Sequence, residues 1–190
     1  MATWREKVVV IPGFLRELHG ERSTRGELAL VYGGAALLAG AILRFGRLEL
    51  AGFEWWKLLI VILVALDISG GALANLTPGT NRYWHDRRPA WRAAFVLLHA
   101  AHPLALYAVF PEYSAVLILS WVWAALATAA VGLFGKGSLR DPLAMLLTLL
   151  GACLLIFIWG AGFVVTFLMV EYQAKLVYGF APDRRKGDLE

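Results

Sequence analysis

The sequence predicts an all-α integral membrane protein: a bundle of five transmembrane helices with an N-terminal interfacial segment and a long projecting C-terminal helix. Apolar residues make up 59% of the 190 residues and charged residues only 17%, whereas soluble domains have about 45–50% and about 25%. The apolar residues form uninterrupted blocks, each long enough to approach the ~30 Å thickness of a bilayer's hydrocarbon core. The mean hydropathy is +0.64, which agrees with a membrane location.

Residues 1–27 are polar apart from a short apolar patch over residues 8–15. Pro12 and Gly13 interrupt this patch, which is also too short for the apolar region of a signal peptide. We therefore expect residues 1–27 to lie on the bilayer surface as an interfacial segment.

The first four predicted helices span residues 28–43, 57–77, 91–110 and 114–134. Proline or glycine follows each of the last three, as expected of residues that end helices. The short loops between these helices make consecutive helices antiparallel neighbours.

The fifth predicted helix begins at residue 143, and its apolar run continues to residue 180. A helix of that length would be about 57 Å long, well beyond the hydrocarbon core. It either kinks at Gly160 to Gly162 or projects from the membrane. No turn sequence divides the run, so we expect a membrane helix over residues 143–170 and a projecting extension to residue 180, followed by a polar basic tail over 181–190.

Charge distribution sets the expected orientation and partners. With five crossings, eleven Lys and Arg residues lie on the side of the N-terminus and seven on the other. The positive-inside rule then places the N-terminus on the cytoplasmic side of the membrane, although the basic C-terminal tail opposes this orientation. We expect the membrane to be a bacterial or archaeal inner (plasma) membrane. The net charge of +4 resides in loops and tails. We therefore expect the bilayer as a partner and no nucleic acid.

Three ionisable side chains fall at similar depth in the second and third helices. Asp67 lies roughly 15 Å from the end of its helix, and His99 and His102 lie roughly 15 and 20 Å from the start of theirs. A carboxylate costs about 2.5–3.5 kcal/mol at the centre of a membrane helix on insertion scales, so it usually faces a protein interior and marks a functional site. Pro103 cannot donate to the carbonyl of His99, so we expect a kink and a freed acceptor there.

Three interpretations of Asp67, His99 and His102 are open. With His85 from the following loop, they are candidate ligands of a divalent metal such as zinc, because His nitrogen and carboxylate oxygen are common Zn²⁺ ligands. They are equally candidates for acid and base in catalysis, or for a proton relay. The third interpretation is a structural Asp–His hydrogen bond that fixes helix register.

The loop after the second helix is the densest polar segment of the chain. Asn75 shares a helix face with Asp67, and Arg82, Arg87 and Arg88 suit an anionic lipid headgroup. The alternative is an ordinary cytoplasmic loop with an aromatic belt and positive-inside charges.

The leading functional hypothesis is a metal-dependent, hydrolase-like membrane-embedded enzyme that acts on a lipid or lipophilic substrate. In this hypothesis Asp67, His99 and His102 are catalytic. The alternatives are a proton-linked transporter or channel subunit, in the form of a homo-oligomer, and a non-catalytic membrane subunit or scaffold. The single cysteine, Cys153, excludes an intrachain disulfide.

Overall fold

The predicted all-α bundle is confirmed by a computed structural model that describes residues 3–184. Five of its helical stretches are long and apolar enough to cross a bilayer. They cover Arg25–Phe45, Trp55–Ala74, Pro111–Phe134, Gly137–Phe157 and Phe163–Phe180.

The regular elements follow one another along the chain as listed here: β1 (Val8–Val10), α1 (Arg16–His19), β2 (Arg22–Thr24), α2 (Arg25–Phe45), α3 (Trp55–Ala74), α4 (Pro78–His85), α5 (Pro89–Leu98), α6 (Ala101–Tyr107), α7 (Ser114–Phe134), α8 (Arg140–Cys153) and α9 (Phe163–Gln173). Two π-helical segments continue α8 and α9, over Leu154–Trp159 and Ala174–Phe180.

The N-terminal segment contains a small hairpin that the sequence analysis did not predict. Strands β1 and β2 pair antiparallel, with Val9 opposite Ser23, and α1 lies between them. The β-branched run that forms β1 favours an extended backbone. The segment is held against α4, where the backbones of Gly20 and Gly79 approach so closely that a Cβ on Gly20 would lie 2.2 Å from the Gly79 carbonyl oxygen. Its placement on a bilayer surface stays a prediction.

Helices α2 and α3 form a closely packed antiparallel pair. The side chain of Thr24 caps α2 by accepting from the Glu27 N–H, which satisfies a backbone donor that has no partner within the helix. A Cβ on Gly34 would lie 2.3 Å from the side chain of Leu73. The absence of a side chain at Gly34 therefore permits the close approach of the two helices.

The predicted helix over residues 91–110 is interrupted in its middle. Helix α5 ends at Leu98 and α6 begins at Ala101, so the break lies directly before Pro103. This is the position at which a missing proline N–H was expected to kink the helix.

The projecting C-terminal helix expected from the sequence is replaced by a return through the bundle. Gly160 has φ of +53°, a conformation that favours glycine, and the chain reverses there. The Glu49 carboxylate accepts from the N–H groups of Phe163 and Val164, at 2.5 and 3.1 Å. This carboxylate caps the N-terminus of α9, because it accepts from backbone N–H groups that have no partner within the helix. Its negative charge is also favourable at the positive end of the helix dipole.

Helix α9 and its π-helical continuation form the centre of the molecule. Leu168, Met169, Tyr172 and Leu176 are fully buried, against α3, α7 and α8. The apolar run expected to leave the membrane is thus the most buried of the five long helices.

Contacts between loops define two ends of the bundle. At the far end, the rings of Phe53 and Phe110 lie 5.4 Å apart, and Glu49 caps α9. At the terminal end, the Asn81 side chain donates to the Pro182 carbonyl at 2.9 Å. Both ends of the described chain lie at the terminal end. The chain therefore traverses the bundle six times, with the interrupted pair α5–α6 as the third passage.

Candidate functional site

Asp67 is the centre of a polar network that joins three parts of the bundle. Its Oδ2 atom lies 2.6 Å from Lys175 Nζ and 2.5 Å from His102 Nε2. Lys175 also donates to the Asp67 backbone carbonyl at 3.2 Å. The predicted proximity of Asp67 and His102 is present, and Lys175 is a third member that the sequence analysis did not include.

The local sequence makes room for the Lys175 side chain. A Cβ on Gly71 would lie 2.4 Å from Lys175 Cε, so a residue with a side chain would displace the ammonium group. Asn75 donates to the Lys175 backbone carbonyl at 3.0 Å in the interior of the bundle. Asn75, predicted to share a helix face with Asp67, and Gly71, one turn before it, together hold Lys175 beside Asp67.

The His99 carbonyl, to which Pro103 cannot donate, has other partners and accepts from the His102 backbone N–H at 3.2 Å. The His99 carbonyl accepts from Tyr172 Oη at 3.0 Å and lies 3.2 Å from His102 Nδ1. The proline therefore supplies the acceptor that orients the His102 ring, and Tyr172 links this position to α9.

The hydrogen-bond partners fix the tautomer of His99. Its Nδ1 lies 2.6 Å from the Phe95 carbonyl, and a carbonyl only accepts, so Nδ1 carries the proton in the neutral ring. Nε2 then bears a lone pair. Nε2 makes no hydrogen bond within residues 3–184 and is not among the buried unpartnered atoms of that range, so it is accessible from the cavity that His99 lines.

His102 contrasts with His99, because both of its nitrogens face acceptors. Nε2 meets the Asp67 carboxylate and Nδ1 meets the His99 carbonyl. A carboxylate only accepts, so Nε2 carries a proton. Both nitrogens of His102 are therefore engaged within the protein.

The network lies in a cavity of about 550 Å³, whose lining extends to the N-terminal segment at the terminal end. The Asp67 side chain is 54% exposed whereas that of Lys175 is only 4% exposed. Apolar and aromatic side chains form much of the remaining lining: Phe14, Leu18, Trp84, Trp91, Phe95 and Leu98.

The N-terminal segment forms part of the lining of this cavity. Trp84 Nε1 donates to the Glu17 carbonyl at 2.9 Å, and Thr80 Oγ1 donates to the Leu18 carbonyl at 2.7 Å. Phe14 is 84% exposed while it also lines the cavity. This part of the lining is therefore anchored to α4 by hydrogen bonds and presents an exposed aromatic ring.

A second polar pair lies beside the network, on the same two helices. Ser69 Oγ donates to Glu171 Oε2 at 2.6 Å. Glu171 and Lys175 are spaced i, i+4 but do not pair with each other, since Ser69 and Asp67 on α3 are their respective partners. The reason is that α9 is buried against α3 and does not project into solvent.

The predicted metal ligands do not converge. Within residues 3–184 no group of three or more His, Cys, Asp or Glu side chains is placed to hold a metal ion. Lys175 already contacts the carboxylate of Asp67, and a cation at this position opposes a second cation. His85 lies elsewhere, with Nε2 3.1 Å from the Phe180 carbonyl, and does not line the cavity. Metal binding by Asp67, His99, His102 and His85 therefore stays a prediction without support from these positions.

The predicted headgroup residues separate into three places. Asn75 is buried and lines the Asp67 cavity. Arg82 and Arg87 line a different pocket, outside that cavity, on α4. Arg88 is exposed at the start of α5 and lines neither. The segment is not a loop, since most of it forms α4, which buries Trp84.

Lys175 and Tyr172 are the residues that sequence reasoning missed. A signal for Lys175 was present, since an intramembrane lysine and an intramembrane aspartate normally pair. The expectation that the last helix projects from the membrane placed Lys175 outside the bundle, where it would not pair with Asp67.

No protein family matches this chain, and neither the curated proteins nor the solved structures contain one with significant similarity to it.

Proposed function

We propose that this protein is a membrane-embedded enzyme that carries out acid–base chemistry on an amphipathic substrate. The observation that supports this most is the accessible lone pair of His99 Nε2 in the cavity that also holds the Asp67–Lys175–His102 network. A histidine in a fixed tautomer is a common general base.

In the proposed chemistry, His99 removes a proton from a substrate hydroxyl or from a carbon next to a carbonyl group. Negative charge then develops on a substrate oxygen. The Lys175 ammonium has three donors and uses two of them on Asp67, so the third is available to such an oxygen as a preorganised donor. Asp67 orients Lys175 and His102 through its Oδ2 atom.

The substrate class follows from the lining of the cavity. The polar network and the apolar side chains of Phe14, Leu18, Trp91 and Leu98 line the same cavity. Ligand sites commonly combine an apolar wall with a few placed polar groups. We infer a substrate with a polar reacting head and an apolar chain.

A proton-linked transporter is less well supported. A transport pathway needs access to the site from both ends of the bundle. On the far side of Asp67 the core is apolar and packed, with Val64, Leu106 and Leu168 buried. The metal-dependent hydrolase stays a prediction, and no group of three or more metal-ligating side chains supports it within residues 3–184.

The enzyme proposal is tested with the full chain in nanodiscs that contain a mixed lipid extract in D₂O. Mass spectrometry should detect lipid species that gain deuterium or change mass with wild type. His99→Gln should reduce that rate by about 100-fold or more, the contribution typical of a general base.

The matched control is Ser69→Ala, which removes a buried hydroxyl two residues from Asp67 but outside the cavity. It should retain most of the activity. Equal rates for wild type and His99→Gln, or no altered lipid with wild type, would refute the proposal. Metal analysis of the same samples tests the zinc hypothesis independently.

We further propose that the chain crosses the bilayer six times with both ends in the cytoplasm. Of the sixteen Lys and Arg residues within 3–184, twelve lie at the terminal end, Lys175 lies inside the bundle, and Arg44, Arg47 and Lys57 lie at the far end. This asymmetry is much larger than that of five crossings, and it follows the positive-inside rule.

The orientation is tested by labelling intact cells with a membrane-impermeant maleimide in a Cys153→Ser background. Arg47→Cys should be labelled from outside, whereas Arg88→Cys should be labelled only after lysis. A C-terminal fluorescent reporter should be cytoplasmic; an external reporter would support five crossings instead.

A further inference from the structure

A second pocket at the terminal end brings three arginines together. It has a volume of about 350 Å³ and is separate from the Asp67 cavity. Three arginines line it, together with an aromatic ring and two carboxylates: Arg22, Arg82, Arg87, Tyr83, Glu21 and Asp86. The arginines come from two segments that are 60 residues apart in the sequence.

Two glycines bring these segments together. A Cβ on Gly79 would lie 2.4 Å from the Arg22 carbonyl oxygen, and a Cβ on Gly20 would overlap the Gly79 backbone. Only residues without side chains permit this approach. Strand β2 is thereby pressed onto α4, and Arg22 lies beside the arginines of that helix.

One of the three arginines is held in place and the other two are available. The Arg87 guanidinium lies 3.5 Å from the centre of the Tyr83 ring, and its Nη1 donates to the Tyr83 carbonyl at 3.2 Å. The guanidinium groups of Arg22 and Arg82 make no hydrogen bond or ion pair with any residue in the range 3–184. The pocket therefore contains the guanidinium donors of Arg22 and Arg82 beside the guanidinium group of Arg87, which is already held in position.

We propose that this pocket binds a phosphate group. Guanidinium groups form paired hydrogen bonds with phosphate oxygens, and stacking on an aromatic ring leaves the guanidinium edge free for them. Glu21 and Asp86 reduce the formal charge of the pocket to +1. A phosphodiester with one negative charge matches that value better than a phosphate dianion.

The position of the pocket also suits a phosphodiester. It lies at the end of the bundle where the apolar helices α2 and α5 begin and α3 ends, the level at which lipid phosphates meet cationic side chains. A lipid headgroup and a free phosphate share this chemistry, and the experiment below separates the two sources. The proposal does not depend on the proposed enzymatic function, because none of its residues lies in the Asp67 cavity.

The test uses the purified full chain in detergent and two probes, dioctanoyl phosphatidylglycerol and inorganic phosphate. Titration calorimetry should give saturable binding of the lipid. Arg22→Gln and Arg82→Gln should each weaken it about tenfold, since loss of one charged hydrogen bond of about 1.5 kcal/mol corresponds to that ratio.

The matched control is Arg88→Gln, which removes the same charge from an exposed residue outside the pocket. Its binding should change by less than about twofold, because exposed charges are largely screened by salt. None of the substituted residues lines the Asp67 cavity, so failure of the enzyme proposal would not affect this result.

Each outcome has a distinct meaning. Displacement of the lipid by millimolar inorganic phosphate would support the pocket and identify a free anion as its ligand. Equal weakening of lipid binding by Arg22→Gln, Arg82→Gln and Arg88→Gln would show general electrostatic attraction and overturn the proposal. The proposal would also be overturned if neither the lipid nor inorganic phosphate bound.

Discussion

Removing the carboxylate of Asp67 and removing the ammonium of Lys175 are expected to affect stability unequally. The two groups form one ion pair, but the Lys175 side chain is 4% exposed and that of Asp67 is 54% exposed. Asp67→Asn leaves the Lys175 cation buried among apolar side chains of α3 and α9. Lys175→Met leaves a carboxylate that still faces the cavity and still contacts His102.

The magnitude follows from this difference in burial. Loss of one partner of a buried ion pair costs about 3–5 kcal/mol, because the remaining charge is uncompensated. We therefore expect about 3–5 kcal/mol of destabilisation for Asp67→Asn. For Lys175→Met we expect about 1–2 kcal/mol, because the charge left behind is half solvated and retains a partner.

The double variant sharpens the prediction. Asp67→Asn with Lys175→Met contains no unpaired buried charge, and replacement of a buried ion pair by apolar groups is often neutral. It should be more stable than Asp67→Asn alone, with a coupling free energy of about 2 kcal/mol in a double-mutant cycle.

Unfolding of the four proteins in mixed micelles, followed by tryptophan fluorescence and circular dichroism, measures these differences. A larger loss for Lys175→Met than for Asp67→Asn would refute the assigned burial. Additive losses in the double variant would show that the two groups do not interact.

Three further predictions concern single residues outside or beside the network. Burial lowers the pKa of His19, so as the pH falls this histidine is protonated in the unfolded chain before it is protonated in the folded protein. The stability should therefore be constant above about pH 7 and fall below about pH 6.5. This part of the pH dependence should be absent in His19→Asn. Gly71→Ala should displace the Lys175 ammonium and abolish the proposed lipid turnover while the protein remains folded by circular dichroism, whereas Gly33→Ala, which meets no atom within 4 Å, should keep wild-type activity. Gly160→Ala should destabilise the protein by about 1–2 kcal/mol in thermal unfolding, the cost of a left-handed backbone at a residue with a Cβ; an unchanged transition would contradict the reversal at Gly160.

The long helices were predictable from the sequence wherever the length of an apolar run is enough to identify a helix. The runs that became α2, α3 and α7 were located from the sequence to within a few residues. Pro103 was equally informative, since one missing N–H predicted both the break between α5 and α6 and the acceptor at His99. These features depend on the chain's own covalent chemistry and need no knowledge of neighbouring helices.

The course of the last apolar run could not be decided in the same way. Gly160 and Gly162 permit either a kink or a reversal, and the choice depends on Glu49, more than 110 residues earlier, which supplies the cap for α9. Such a contact between distant residues leaves no local pattern. The hairpin β1–β2 was missed for a related reason, because three-residue strands carry almost no periodic signal.

The location of Lys175 explains why the site was only half predicted. An aspartate in an apolar helix needs compensation, and the sequence offered His99 and His102 at matching depth. Two neutral histidines would satisfy the hydrogen bonds of Asp67 but not its charge. The charge is balanced by Lys175, which reaches Asp67 only because the last helix re-enters the bundle and Gly71 leaves space for it. The reversal at Gly160, the gap at Gly71 and the ion pair are therefore one structural arrangement. That arrangement leaves His99 as the one histidine of the cavity with a nitrogen available to a substrate, among the residues that the structure describes.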